Sequence, residues 1–271
     1  MRSPKEISLD TKIINTLSRF VPDGRTAERV KFILEDEEIQ AMQEYANIVS
    51  IKRLGYNDHG PVHMRTVALN AIIMLELLRK AGIKTSLEQE DWGDFEDSLT
   101  AVIIASCLHD VGMTIGRQDH ELHSAYLSYP ILDRLLKKLY PEDVQKQVTL
   151  RSLALEGIAG HMGGRTVHSL EAGIILVADG CDMKKGRARI PMAMSNGPRV
   201  GDIHKYSANS IEDVRLSAGR EKPIRIDVSM SSEVGLFQIE EVLLTKIAAS
   251  PVKVYIELYA LVEGGSSRRY L

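Results

Sequence analysis

The chain has 271 residues, enough for one large domain or for a main domain with a smaller one. Its 34 Lys and Arg against 37 Asp and Glu give a formal net charge of −3, which excludes a whole-chain attraction to nucleic acid or to an anionic membrane. The chain has only two cysteines, its first residues lack the apolar core of a signal peptide, and its apolar runs are too short to cross a bilayer. These features predict a cytoplasmic protein that makes no membrane contact.

Helical signals dominate roughly the first 200 residues. Asp36 and Asp119 are placed to cap helices, and Pro61 stands where a first helical position is expected. The apolar stretch Leu99–His109 is predicted as a buried helix rather than a strand, because of its length and alanine content. Pro130 is expected to kink or divide the helix in which it lies. The predicted helices cover residues 36–49, 61–82, 99–109, 120–140, 142–159 and 169–184.

The pattern changes after about residue 200. Ile224–Met230 alternates apolar and polar side chains like a half-buried strand, and Val252–Val262 alternates again. Val234–Ala249 between them is predicted as a helix. The tail Gly264–Leu271 is expected to fray.

The sequence therefore predicts a mostly α-helical domain over residues 1–200, followed by a small α+β domain over residues 201–271. The order of elements in the second domain is strand, helix, strand. Its two strands are also candidates for a homodimer contact, through edge pairing or sheet packing.

The pair His109-Asp110 ends the buried helix and is followed closely by Gly112. A carboxylate can bridge two cations, and imidazole is a common ligand of transition metals. Taken alone, such a pair more often marks an ordinary helix end. Asp179 lies inside a second apolar stretch, where burial of an isolated carboxylate is costly. Asp179 therefore needs either a metal ion or a salt bridge to a buried Arg or Lys.

Three further histidines, His63, His120 and His161, lie at the ends of helices that flank these apolar stretches. For any single histidine, a surface position or a satisfied core position is the more common explanation. Their combination with His109-Asp110 and Asp179 favours a shared metal site.

The order His…His-Asp…Asp over consecutive helices resembles the HD superfamily of metal-dependent phosphohydrolases. The segment His-Met-Arg-Thr-Val-Ala that begins at His63 is similar to the first motif of that family, with Thr66 where Arg is common. His109-Asp110 matches the signature pair, and Asp179 resembles the closing aspartate. The resemblance spans roughly residues 55 to 190 and implies a multi-helix HD domain.

His120 and His161 resemble ligands of the HD-GYP branch, which holds two metals. Met162 replaces the second histidine of that branch's His-His pair, no Gly-Tyr-Pro follows, and Met113 replaces a lysine that is common after His-Asp-x-Gly. These departures argue against a cyclic-di-GMP phosphodiesterase. They also remove one of the ligands that the second metal ion has in that branch. The segment Asp179–Pro191, together with the loop 57–61, looks more like archaeal-type HD proteins.

The resemblance implies one or two divalent transition metal ions. Mn, Fe, Co or Ni suit a set of imidazole and carboxylate donors, and zinc is less favoured because no thiolate is involved. The first ion is then held by His63, His109, Asp110 and Asp179. The second ion shares Asp110 and is held by His120 and His161.

The implied reaction is hydrolysis of a phosphoester by a metal-activated hydroxide, with Asp110 and His109 as the catalytic residues. The implied substrate is a phosphorylated small molecule, a nucleotide being one candidate. The alternative function is a non-catalytic metal- or nucleotide-binding regulator that signals through the C-terminal domain. Nucleic-acid binding through the basic segment 184–189 is disfavoured by the net charge and the lack of a basic stripe.

Basic residues and histidines near the implied ligands are candidates for binding substrate phosphates, because guanidinium groups match phosphate geometry. For Lys184 the alternative is a solvated helix end, and for His59 and His123 it is a surface position. The candidates are His59, Arg117, His123, Arg165, Lys184, Arg187 and Arg189.

Overall fold

The computed structural model describes residues 2–21, 23–185 and 203–271. Its first part is helical. Short irregular turns accompany these helices: a π-helical turn, Val49–Arg53, follows the third, and a 3-10 turn, Val111–Thr114, follows the sixth. The helices are α1 (Pro4–Phe20), α2 (Gly24–Leu34), α3 (Glu37–Ile48), α4 (Pro61–Lys80), α5 (Ser86–Gln89), α6 (Phe95–Leu108), α7 (His120–Leu139), α8 (Val144–Gly160) and α9 (Leu170–Gly180).

Local signals account for most of the helix starts. The Asp36 side chain accepts a hydrogen bond from the backbone N–H of Ile39, and Pro61 is the first residue of α4. Asp119 differs from its prediction, because it has a left-handed backbone (φ 51°) and its side chain makes no capping bond. The prediction that Pro130 could divide its helix is wrong, since α7 runs through it.

The helices pack around a core that is centred on α6. Almost every side chain of α6 is buried, as expected for a helix that is apolar all round. Helices α4, α8 and α9 lie against it, and α9 also packs against α4 and α8. Since α6 ends at Leu108, this packing places His109 and Asp110 inside the protein, where both are buried.

Within the described residues, α4 is long and apolar enough to cross a membrane by length and composition alone. Most of it is buried inside the protein, which is the pattern of a core helix. The expectation of a cytoplasmic protein stays a prediction.

The last part of the chain forms a four-stranded sheet after the helix α10 (Ile203–Ser210). The strands lie side by side in chain order; β1 pairs antiparallel with β2, β2 parallel with β3, and β3 antiparallel with β4. The strands are β1 (Ile211–Ala218), β2 (Ile224–Met230), β3 (Ile256–Val262) and β4 (Ser267–Arg269).

A helical crossover joins β2 to β3, as a parallel pair requires. It consists of the turn Glu233–Gly235, the π-helical segment Gln238–Leu243, α11 (Leu244–Ala248) and the 3-10 segment Pro251–Tyr255. The structure therefore confirms a mostly α-helical fold with a small C-terminal α+β unit.

Two strands were not predicted. β1 is largely exposed at one edge of the sheet, so its sequence lacks a clear apolar alternation. β4 lies in the tail that was expected to fray, and that expectation is wrong for residues 267–269, which pair with β3. The predicted boundary at residue 200 lies outside the described residues, and it stays a prediction, as does a homodimer through these strands.

Gly112 allows the turn after His109-Asp110 to pack directly on the start of α7. Its backbone N–H donates to the Ser124 hydroxyl at 2.8 Å. A Cβ atom at this position would overlap the carbonyl oxygen of His120 and the backbone nitrogen of Ser124. These are backbone atoms, which cannot rotate away as a flexible side chain could. Gly112 therefore sets how closely α7, and with it His120, approaches Asp110.

We predict that Gly112→Ala lowers the free energy of unfolding by about 1–3 kcal/mol, because the added methyl group pushes two backbone segments apart. Gly116→Ala is the matched control, since a Cβ there meets no atom within 4 Å. Urea denaturation of both variants measures the difference. Equal stabilities would show that the contact at Gly112 does not limit the packing.

Candidate metal centre

Four buried side chains from three helix ends converge on the first group of donor atoms. The Nε2 atom of His63 lies 3.1 Å from Nε2 of His109, 3.2 Å from Oδ2 of Asp110 and 3.2 Å from Oδ1 of Asp179. Nε2 of His109 lies 3.4 Å from the same Asp110 oxygen and 3.8 Å from Asp179 Oδ1. The donor atoms of His63, His109 and Asp110 lie within 4.8 Å of one another, a spacing that suits ligands of one cation, and Asp179 adjoins this set through its contacts with both histidines.

A second donor group uses the other oxygen of Asp110. Oδ1 of Asp110 lies 3.2 Å from Nε2 of His120 and 3.3 Å from Nε2 of His161. The two histidine nitrogens are 3.2 Å apart. Asp110 is therefore shared between the two groups, one carboxylate oxygen facing each, which is the arrangement of a bridging ligand.

The ring orientation of each histidine is fixed by its other nitrogen. Nδ1 of His109 lies 2.9 Å from the carbonyl of Ser106, and Nδ1 of His161 lies 2.7 Å from that of Ile158. Since a carbonyl oxygen can only accept, these Nδ1 atoms carry the proton and donate. The same holds for His120 with the carbonyl of Arg117 (3.0 Å) and for His63 with the carboxylate of Asp182 (2.7 Å).

This proton arrangement leaves a lone pair on every Nε2 atom of the centre. The lone pairs face one another and the carboxylate oxygens across 3.1 to 3.8 Å, with no proton of their own between them. Buried acceptors that face acceptors repel unless a positive charge lies between them. The donor set therefore fits a cation, and the outer partners of the rings hold them in the orientation that metal ligands require.

Helix termini add to the negative potential of the centre. His109 follows the last residue of α6, His161 follows the last residue of α8, and Asp179 is the next-to-last residue of α9. A helix C-terminus carries roughly half a negative charge from its unsatisfied carbonyl groups. Three such ends lie at this buried region and are opposed by two positive N-termini, those of α4 at His63 and of α7 at His120, so the negative ends outnumber the positive ones.

Both central carboxylates are ionised. Burial alone would raise the pKa of Asp110, but positive charge at the histidine rings, that of His109 foremost, holds it well below its ordinary value. When the rings are neutral, a metal ion between their lone pairs supplies that positive charge instead. Burial acts in the same direction on Asp179, whose pKa is nevertheless held well below its ordinary value, chiefly by the charge of Lys246. Both side chains are thus ready to bind a metal ion at neutral pH.

Lys246 is part of the centre although it belongs to the crossover of the C-terminal sheet. Its ammonium group donates to Oδ2 of Asp179 at 2.5 Å and to the carbonyl of His161 at 2.6 Å, and its side chain is 7% exposed. Asp179 therefore has one of the partners that its sequence context allowed, a salt bridge to a buried lysine, on one oxygen, and its other oxygen faces the histidine donor group.

Sequence reasoning missed Lys246 and the role of Asp182. A signal for Lys246 was present, because it interrupts an apolar stretch that includes Leu243 and Ile247, as Asp179 interrupts another. The pairing of the two could not be predicted, since 67 residues separate them. Asp182 was visible only as a neighbour of Asp179, and its contact with His63 depends on how the chain turns after α9.

Two of the predicted substrate-binding residues, Arg117 and His59, contact residues of the donor groups, and a third, His123, lies on the same helix as His120. Nη1 of Arg117 is 3.2 Å from Nε2 of His120. The ring centroid of His59 is 6.0 Å from that of His63, and its Nδ1 contacts the loop carbonyl of Asn57. His123 lies one helical turn after His120, and among the described residues its Nδ1 atom is buried without a hydrogen-bond partner.

The other four are not brought to the donor groups by any described contact. Arg165 is exposed in the turn after His161. Lys184 forms an ion pair with Asp213 of β1, because the chain has left α9 at Gly180 and runs towards the sheet. The helix-end alternative for Lys184 fails for the same reason. Arg187 and Arg189 lie outside the described residues.

We predict that Lys246→Met lowers the free energy of unfolding of the metal-free protein by about 3–5 kcal/mol, because it leaves the buried Asp179 carboxylate without its countercharge. Lys253→Met is the matched control: it removes the same charge from an exposed position of the same crossover. Denaturation in the presence of a chelator compares the two. A similar small effect for both would contradict the role assigned to Lys246.

We predict that the metal-free protein loses stability on mild acidification. Burial lowers the pKa of His161 to about 4 from an ordinary 6.5, so between these values the unfolded chain binds the proton and the folded protein does not. Stability must then fall as the pH drops, by about 2 kcal/mol between pH 7 and pH 5. Denaturation at the two pH values measures the loss, and His161→Gln is expected to reduce it. An undiminished loss in that variant would assign it to other groups.

Comparison with known proteins gives a relative but no function. No protein-family model matches the chain, and no solved structure matches it significantly. The chain is 45% identical over 231 residues to the uncharacterized protein MJ1020 of Methanocaldococcus jannaschii, and the match covers 85% of this chain and 87% of that protein. Identity at this level over most of both chains establishes common descent and a shared fold. The chain belongs to the same protein family as MJ1020.

Proposed function

We propose that this protein is a metal-dependent phosphohydrolase of the HD superfamily that cleaves a phosphoester, a nucleotide being one candidate substrate. The observation that carries the proposal is the position of Asp110, whose two oxygens face two groups of histidine Nε2 lone pairs. A shared carboxylate between two nitrogen-rich groups is typical of centres that hold two metal ions and act on phosphate esters.

The donor chemistry supports Mn, Fe, Co or Ni rather than a structural zinc ion. The donors are imidazole nitrogens and carboxylate oxygens, without sulfur. The two cysteines do not change this, because burial raises the pKa of Cys107 to about 12 and also raises that of Cys181. Neither is a thiolate at neutral pH, so neither is a competent metal ligand.

A bound divalent ion supplies a Lewis acid, which lowers the pKa of water and neutralises charge on phosphoryl oxygens. The chain's own residues hold and orient the reactants. Asp182 and the backbone carbonyls fix the histidine rings, and Lys246 fixes Asp179. Arg117 presents a guanidinium group beside the donors, where it is placed to pair with a phosphate.

A second candidate function is a non-catalytic regulator that binds metal or a nucleotide and signals through its C-terminal part. One observation favours it: Lys246 links the C-terminal crossover directly to Asp179 and to the backbone of His161. A change in metal occupancy would therefore alter the contacts of the crossover. Turnover separates the two functions, because a regulator binds its ligand without converting it.

We predict that the purified protein contains or takes up a transition metal and hydrolyses at least one member of a panel of phosphomonoesters, phosphodiesters and nucleotides. Asp110→Asn should reduce turnover by roughly 10²–10³-fold or more, because it removes the ligand shared by both donor groups. Metal analysis and phosphate release measure these quantities. Glu44→Gln, which removes one charge from an exposed helix position, is the control and should retain full activity.

Two outcomes would contradict the proposal. A protein that binds no transition metal and shows no activity with added Mn is not a phosphohydrolase of this type. A wild-type protein that binds metal and nucleotide but releases no product from any substrate would instead support the regulator.

A further inference from the structure

The guanidinium group of Arg117 lies against the second donor group. Its Nη1 atom is 3.2 Å from Nε2 of His120, and its Nη2 atom is 3.9 Å from the sulfur of Met162. Arg117 stands between the turn Val111–Thr114 and the start of α7, and it is half-buried. Its side chain therefore approaches the centre from the side of the second group and not of the first.

The direction of the contact follows from the protons. Nδ1 of His120 donates to the backbone carbonyl of Arg117, so Nε2 carries the lone pair. A guanidinium group can only donate, so Nη1 of Arg117 donates a hydrogen bond to that lone pair. The same lone pair is the one that a second metal ion would take from His120. A metal ion and the guanidinium group cannot both use it, and both are positively charged.

At the first donor group the described contacts place a different cation. Its neighbouring cation is Lys246, which bonds Asp179 through Oδ2. Oδ1 of Asp179 remains directed at His63 and His109. Lys246 thus does not occupy the Asp179 oxygen that faces the first group, whereas Arg117 occupies a donor atom of the second.

We propose that Arg117 competes with the second metal ion for His120 and thereby makes the two halves of the centre unequal. The first position binds an ion while Arg117 stays in place, and the second fills only when the guanidinium group leaves Nε2 of His120. This inference rests on the proposed function in one respect, namely that the donor groups bind metal. It does not depend on which phosphoester, if any, the protein hydrolyses.

The side chain can be removed without disturbing the orientation of His120, because the ring is held by the backbone carbonyl of residue 117. Arg117→Met is therefore the informative variant, and Arg117→Gln is a second one of different size. Arg165→Met is the matched control, since it removes an arginine from an exposed turn that also neighbours a ligand of the second group.

The full-length proteins are freed of metal with a chelator and titrated with Mn(II), with calorimetry for the two binding steps and electron paramagnetic resonance for coupled ion pairs. Both Arg117 variants should bind the second ion about tenfold or more tightly than wild type, with a smaller change in the first step. Coupled Mn pairs should appear at lower Mn concentration. Arg165→Met should behave as wild type.

Two results would overturn the inference. If both folded Arg117 variants bind the second ion no more tightly than wild type, Arg117 does not compete for it, and the proposed metal centre still stands. If none of the proteins binds Mn at all, both this inference and the proposed function fail. Far-UV circular dichroism identifies any variant that has not folded.

Discussion

The structure depends on one buried carboxylate. Asp110 lies just after the buried, apolar helix α6 and faces histidine lone pairs on both sides. Such a group is costly to bury unless cations surround it. The helix C-termini and the inward-facing histidine lone pairs add to the negative potential around this carboxylate, so they increase the need for a bound cation. Lysine and arginine side chains at the periphery supply fixed positive charge.

Many of the helices and several of the candidate ligands could be predicted from the sequence, because the patterns that indicate them are local. Asp36 marks the start of α3 because its side chain caps the helix, and Pro61 marks the start of α4 because its ring suits the first helical position. Asp179 stood out because a carboxylate interrupts an apolar helix. The convergence of His63, His109 and Asp179 was anticipated from a family resemblance in their order and not from any physical calculation on the chain.

The remainder depends on contacts that sequence spacing does not encode. Lys246 reaches Asp179 only because the crossover between β2 and β3 packs against α9. Lys184 was expected near the substrate, but the chain leaves α9 early and gives it a partner on β1. β1 was not predicted, because an exposed edge strand lacks the apolar alternation by which strands are identified.

Three histidines of the centre share a backbone anchor: His109, His120 and His161 each donate Nδ1–H to the carbonyl group three residues earlier. The side chains of Ser106 and Ile158 play no part in these bonds. Evolution can therefore exchange residues at such anchor positions while every imidazole keeps its tautomer and direction. The backbone conformation therefore orients these three rings, and an alignment of relatives that compares side chains alone would not detect this contribution.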